Sequence, residues 1–139
     1  MAVVCAFSAT AFSFHANADT KMVLKASDVH PLGYPTVEAI VRMGKKLETA
    51  TNGRLSIQMF PSMQLGGSPP QLFEQARDGV ADVVWTLPGY SAGRFPSIEV
   101  FELPFMMQSP EATSKALWDY VDQYAKAEFK DVKPLAFHV

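Results

Sequence analysis

A parallel-sheet α/β fold is predicted for this chain from three observations. Apolar residues switch between a period of two and a helical period, five such segments follow one another with short joints, and turn residues punctuate them where elements must end. The first segment, Lys21 to Ser27, sets Met22, Leu24 and Ala26 against Val23 and Lys25 and reads as a strand. A loop from Asp28 to Tyr34 leads into a helix beginning at Pro35, whose apolar stripe is Val37, Ile40, Val41, Gly44 and Leu47. Asn52-Gly53 supplies its left-handed C-cap. Leu55, Ile57 and Met59 alternate in a second strand that Pro61 ends. Ser68-Pro69-Pro70-Gln71 then has the form of a capping box with proline in the first helical position, opening a short helix with Leu72, Phe73 and Ala76 inward, up to Gly79. Val80 to Thr86 is the third strand. Strand, helix, strand, helix, strand describes two successive right-handed βαβ units.

The rest is less regular. Leu87 to Ser97 carries two Pro and two Gly and reads as a functional loop. Leu103 to Met107 is apolar, and Phe105 within it is expected in the core. Ser109-Pro110-Glu111 starts a helix that runs to about Phe129 and buries Ala116, Leu117, Tyr120, Val121 and Tyr124. Val132 to Val139 alternates as a last strand, inside which the chain ends, so that a truncated fold is expected.

Composition narrows the partners. The 139 residues carry 12 basic and 14 acidic side chains, a net charge of -2 that favours neither nucleic acid nor a basic membrane patch. A small-molecule partner fits better. Residues 1–18 are nearly uncharged and close on Ala16-Asn17-Ala18, so they read as a signal peptide cleaved after Ala18, with Asp19 as the mature start and the periplasm as destination. No Lys or Arg precedes the apolar stretch, which points to a start upstream. The only cysteine, Cys5, lies within this segment without a lipobox, leaving residues 19–139 free of thiols as a single domain.

Four segments stand in a telling order: Asn52-Gly53-Arg54-Leu55, Phe60-Pro61-Ser62-Met63-Gln64-Leu65-Gly66-Gly67, Ala76-Arg77-Asp78-Gly79-Val80-Ala81-Asp82, and Phe101-Glu102-Leu103-Pro104-Phe105. Together they resemble the extracytoplasmic solute-binding receptors of tripartite ATP-independent periplasmic (TRAP) transporters, the DctP-like family. The resemblance implies a two-lobed fold of the periplasmic-binding-protein type (type II-like), of which residues 19–139 would be the first lobe, truncated before or at the hinge, with the second lobe missing. It also implies capture of a small organic anion, a carboxylate, for delivery to the membrane permease subunits, with an arginine of the second lobe holding the carboxylate. Ser68-Pro69-Pro70-Gln71 stands where many relatives carry acidic residues, which argues against a sugar-acid ligand. An ABC-type periplasmic binding protein would share the half-fold, and neighbouring genes for two membrane subunits without an ATPase would exclude it.

Ligands of open parallel sheets sit beyond the C-terminal strand ends, which selects the joints Asp28 to Tyr34, Pro61 to Gly67 and Leu87 to Phe95. They offer His30 and Tyr34, then Gln64, then Tyr90 and Arg94, with Trp85 at the mouth of its strand. Candidate ligand-binding residues are therefore Trp85, Tyr90, Gln64, His30 and Arg94: flat walls plus a few placed donors. Each has a plainer alternative. Trp85 suits a core, Tyr90 lobe packing, Gln64 the tight turn before Gly66, His30 a capped loop, and Arg94 a solvated charge or ion pair. Asp78 and Asp82 are assigned to capping and turn chemistry.

Enzymatic readings are weaker. Gly89-Tyr90-Ser91-Ala92-Gly93 matches the nucleophile elbow of a serine esterase, with Asp119, Asp122 or Asp131 and then His138 in hydrolase order. An elbow needs a helix directly after the serine, and Pro96 would break its first turns. Asp28-x-His30 gives two metal ligands without a third at recognisable spacing, His15 leaving with the signal. Neither a phosphate loop nor G-x-G-x-x-G occurs, and no cofactor is expected.

Overall fold

The computed structural model describes residues 20–107 and 109–139, so the expected signal peptide at 1–18 lies outside the described residues. Three parallel strands, β1 (Met22–Ser27), β2 (Leu55–Phe60) and β3 (Val83–Val84), form a sheet of order β2-β1-β3. Helix α1 (Pro35–Ala50) joins the first two, and α2 (Leu72–Arg77), preceded by a 3-10 turn at Pro69–Gln71, carries the chain back across β1 to its other edge. The direction of travel reverses between the two crossovers. Right-handed connections therefore set α1 and α2 on opposite faces, and the reversal makes the β1/β3 boundary a topological switch point.

Helix α1 forms as its stripe dictates: Val37 and Gly44 are buried, with Ile40, Val41 and Leu47 half-buried. It ends where Asn52 (φ 51°) and Gly53 (φ 76°) turn left-handed, and Gly53 N–H donates to Glu48 O at 2.8 Å. At Ser68 the capping turn is closed by Gln71, whose Oε1 accepts from Ser68 N–H (2.9 Å) and from Ser68 Oγ (3.1 Å).

Several expectations need correction. In β1 burial does not alternate but rises along the strand, from exposed Met22 and Val23 to fully buried Ala26 and Ser27. The cause is β3, which pairs only at Ala26 and Ser27, so that among the described residues the start of β1 has a partner strand on one side only. The third strand is two residues long rather than Val80 to Thr86, because Asp82 interrupts the ladder: its Oδ2 accepts from Lys25 N–H at 2.7 Å. Val132 to Val139 forms no strand. Phe137 is drawn against Phe129 and Trp118, and Val139 N–H donates to Ser114 Oγ at 3.2 Å instead of to a neighbouring strand.

The helix after Ser109 starts as expected, with Ser109 Oγ accepting from Ala112 N–H at 3.2 Å. It runs as α3 (Pro110–Tyr120), a π turn (Val121–Ala125) and a 3-10 turn (Lys126–Phe129). Its inward stripe is Thr113, Leu117, Val121 and Ala125, so Ala116 and Tyr124, expected inside, are exposed. A stripe repeating every four residues drifts against the 3.6-residue period, and the wide turn keeps Ala125 inward. Phe105, expected in the core, is fully exposed. A hydrophobic core gathers Phe73, Phe95, Ile98, Leu117, Val121 and Ala125, with Phe101, Tyr120, Phe129 and Phe137 packed around it. No described helix is long and apolar enough to cross a membrane.

Candidate ligand site

The C-terminal end of β1 delivers Asp28 into the interior. Its side chain is fully buried, yet every oxygen has a partner: Oδ1 accepts from His30 N–H (2.8 Å) and lies 2.9 Å from His30 Nδ1, and Oδ2 accepts from Thr36 Oγ1 (3.0 Å) in the first turn of α1. The positive end of the α1 dipole adds to this compensation. A buried carboxylate is tolerated only when satisfied in this way.

The joint after β2 is stitched onto the same point. Ser62 N–H donates to His30 O (2.9 Å) and Met63 N–H to Asp28 O (3.0 Å). To aim those two donors, Ser62 (φ 51°) and Met63 (φ 57°) both adopt the left-handed conformation, at about 1–2 kcal/mol each. Strain of this kind collects at functional sites, where the surroundings over-determine the backbone.

Above Asp28 stands an aromatic shelf. His30 lies parallel on Tyr34, with ring centroids 3.8 Å apart and planes at 1°, and meets Trp85 edge-on at 4.7 Å and 62°. Trp85 N–H donates to Ser27 O (3.1 Å), which fixes the residue just past β3 at the switch point. Its indole Nε1 donates to His138 Nε2 at 2.8 Å, and the two rings stack at 5.9 Å. Sequence reasoning selected His30 and Trp85 and noted Tyr34. It did not single out Asp28, weighed only as one of two metal ligands, or the contact of His138, 53 residues from Trp85; the burial of the first and the long-range partner of the second have no local mark in the sequence.

Among the described residues no hydrogen bond or ring contact joins Gln64, Tyr90 or Arg94 to the three rings of this shelf. Gln64 is exposed, and its backbone N–H closes the turn onto Pro61 O at 3.1 Å. Tyr90 is half-buried in a 3-10 turn (Pro88–Ser91). Arg94 is held by a short ion pair to Glu74 and lies 4.5 Å above the Phe73 ring, so its charge is already engaged. The loop around them is fixed by acidic side chains acting as backbone acceptors: Glu102 from Gly89 N–H (3.1 Å), Glu99 from Gly93 N–H (2.8 Å) and Glu128 from Ser97 N–H (2.9 Å).

Ser91 is no nucleophile elbow. Its Oγ donates to Pro70 O at 3.0 Å, and a turn rather than a helix follows. Among the described residues no three His, Cys, Asp or Glu side chains gather as a metal site. A surface depression lined by Leu65, Gly67, Gln71, Gln75 and Val80 runs beside α2 and has no aromatic wall, whereas the shelf stands at the switch point where open parallel sheets take their ligands. The Arg77–Asp78 pair stands at the C-terminal end of α2. Their side-chain hydrogen bond raises the guanidinium and lowers the Asp78 carboxyl from their ordinary values, on a solvent-screened surface.

An open parallel sheet with its joints stitched under an aromatic shelf defines the class: an α/β ligand-binding lobe. Comparison with solved structures agrees. A TRAP solute-binding protein from an unidentified marine microbe, specific for aromatic acid ligands and bound to 3-hydroxybenzoate, superposes with a TM-score of 0.80 at 47% identity over 84% of this chain. One from Rhodoferax ferrireducens with copurified benzoate gives 0.77 at 45% identity over 85% of this chain. One from Citrobacter koseri with bound D-glucuronate gives 0.62 at 36% identity over 76% of this chain. The family model of the bacterial extracellular solute-binding proteins, family 7 (DctP), matches residues 26–139, and the chain belongs to that family. Membership places it among solute-binding proteins rather than enzymes. The chain spans 37%, 37% and 38% of the length of those three structures.

Proposed function

We propose that the chain supplies part of the first lobe of an exported TRAP receptor that captures a small aromatic carboxylate and delivers it to the membrane permease. The observation that carries this reading is the shelf of His30, Tyr34 and Trp85 at the β1/β3 switch point. Stacked rings offer a flat apolar wall matched to an aromatic ring, whereas a polyhydroxylated sugar acid needs many hydrogen bonds that this wall does not provide. Identity points the same way, being 47% and 45% to the receptors holding aromatic acids and 36% to the one holding D-glucuronate. Gln64 and Tyr90 border the ligand from the neighbouring joints, and Arg94 shapes its loop through Glu74. Binding is closure-driven, so the ligand favours the shut state only through contacts to both lobes.

Titration calorimetry on the protein produced from its complete open reading frame tests the reading. Benzoate and 3-hydroxybenzoate are expected to bind at least about tenfold tighter than D-glucuronate, a difference of about 1.4 kcal/mol. Equal or tighter binding of the uronate would overturn it. Residues 19–139 alone are expected to bind weaker than micromolar, and micromolar affinity would refute the dependence on a second lobe.

A further inference from the structure

Resting on the aromatic-acid reading, we infer that Asp28 is a positioning residue that presents His30 Nε2 as the hydrogen-bond acceptor for a ring hydroxyl. The ligand is then a hydroxylated aromatic acid, lying with its hydroxyl toward β1 and its carboxylate turned away. An ionised carboxylate only accepts hydrogen bonds, so the 2.9 Å contact from Asp28 Oδ1 to His30 Nδ1 requires the proton on Nδ1. In the neutral ring this leaves a lone pair on Nε2, the same tautomer lock by which carboxylates orient histidines elsewhere. Nε2 has no hydrogen-bond partner among the described residues, and the side chain is 20% exposed. Its direction is fixed as well. Asp28 grips one edge of the ring, Tyr34 covers a face at 3.8 Å, and Trp85 meets it at 4.7 Å.

Electrostatics decides which polar group of the ligand goes there. The buried Asp28 charge lies directly behind the imidazole, in a setting where water screens it poorly. A carboxylate brought to Nε2 would meet a lone pair backed by that charge, and is repelled. A neutral hydroxyl donates to the same lone pair, and the charge behind the ring strengthens the bond. Trp85 does not compete for the hydroxyl, since its Nε1 already donates to His138.

The test measures affinities of the full protein for benzoate, 3-methylbenzoate and the three hydroxybenzoates. The best hydroxybenzoate is expected to exceed both benzoate and the methyl analogue by about tenfold, as a site built for a hydroxyl penalises ligands lacking one. His30→Phe keeps an aromatic ring without the acceptor, and its hydroxybenzoate-to-benzoate ratio should fall to within about twofold. Asp28→Asn can turn an amide N–H toward Nδ1 and so no longer requires the ring proton there. It should lower the ratio likewise, and nitrogen NMR of His30 should report a move of the proton from Nδ1 toward Nε2. Should Asp28→Asn fail to fold, the His30→Phe ratio decides. Benzoate and 3-methylbenzoate binding as tightly as every hydroxybenzoate, or a preference that survives His30→Phe, would overturn this inference while leaving the aromatic-acid reading intact. Failure of every aromatic acid to bind would overturn both.

Discussion

From Met22 to Phe60 the ladder of β1 with β2 runs unbroken, from Met22 opposite Leu55 to Ser27 opposite Phe60, and α1 closes over it. From Pro88 to Val139 the described residues form no ladder. Short 3-10 turns, a π turn and one helix are gathered around rings: Phe95 on Phe73 and Phe129 (5.2 Å each), Phe129 on Phe137 (5.3 Å), Trp118 on Phe137 (4.8 Å). The first region is specified by backbone hydrogen bonds, the second by where large side chains pack. The site sits on the seam between them. His30 and Tyr34 come from the first region, His138 from the second, and Trp85 bridges them. The proposed ligand wall therefore has one side held by the ladder and one side that depends on packing.

The contrast can be broken at its strongest point. Phe95 is 2% exposed and packs on the rings of Phe73 and Phe129. Phe95→Ala should cost about 3–5 kcal/mol in urea unfolding, since no ladder remains to hold the surrounding turns once the cavity opens. A loss under about 1 kcal/mol would mean that the loop hydrogen bonds from Glu99, Glu102 and Glu128, not the rings, organise the region.

A smaller effect sharpens the other side. An added Cβ at Gly44 would stand 3.0 Å from Ile57 Cβ, because α1 approaches β2 most closely there. A β-branched side chain cannot swing its own Cβ away. Gly44→Ala gains about 1 kcal/mol in helix preference, and overpacking costs about 1–3 kcal/mol. We expect net destabilisation of about 1 kcal/mol by the same measurement. A gain in stability would mean that α1 shifts freely on the sheet and that the first region is less rigid than its ladder suggests.

The same contrast explains what sequence could and could not reveal. Helix α1 and strand β2 were legible because their periods are read from local residues, and the Asn52-Gly53 cap from their tolerance of positive φ. Strand β3 was over-extended because Asp82 takes the Lys25 N–H that a longer ladder would use, a competition between residues 57 apart. In the last helix the expected stripe assumed an unbroken α period, and the π turn from Val121 moved Ala125 inward while Tyr124 stayed 69% exposed. The strand-end rule selected His30 and Trp85, whose rings the structure brings into contact. Nothing local marked Asp28 as the buried carboxylate beneath them, nor His138 as the acceptor of the indole proton.

The smallest predicted effect lies at the seam itself. Ser27 is fully buried at the end of β1, its carbonyl accepts from Trp85 N–H, and its Oγ has no partner among the described residues. A buried hydroxyl without a partner has lost its hydration and gained nothing in return. Ser27→Ala should therefore leave stability unchanged or raise it by up to about 1 kcal/mol, because the ladder contacts on either side belong to the backbone and survive the change. A loss of more than about 1 kcal/mol would place an ordered water or another acceptor on Oγ. The seam would then be held by a polar bridge as well as by the shelf, and its rigid side would extend one residue further toward the ligand.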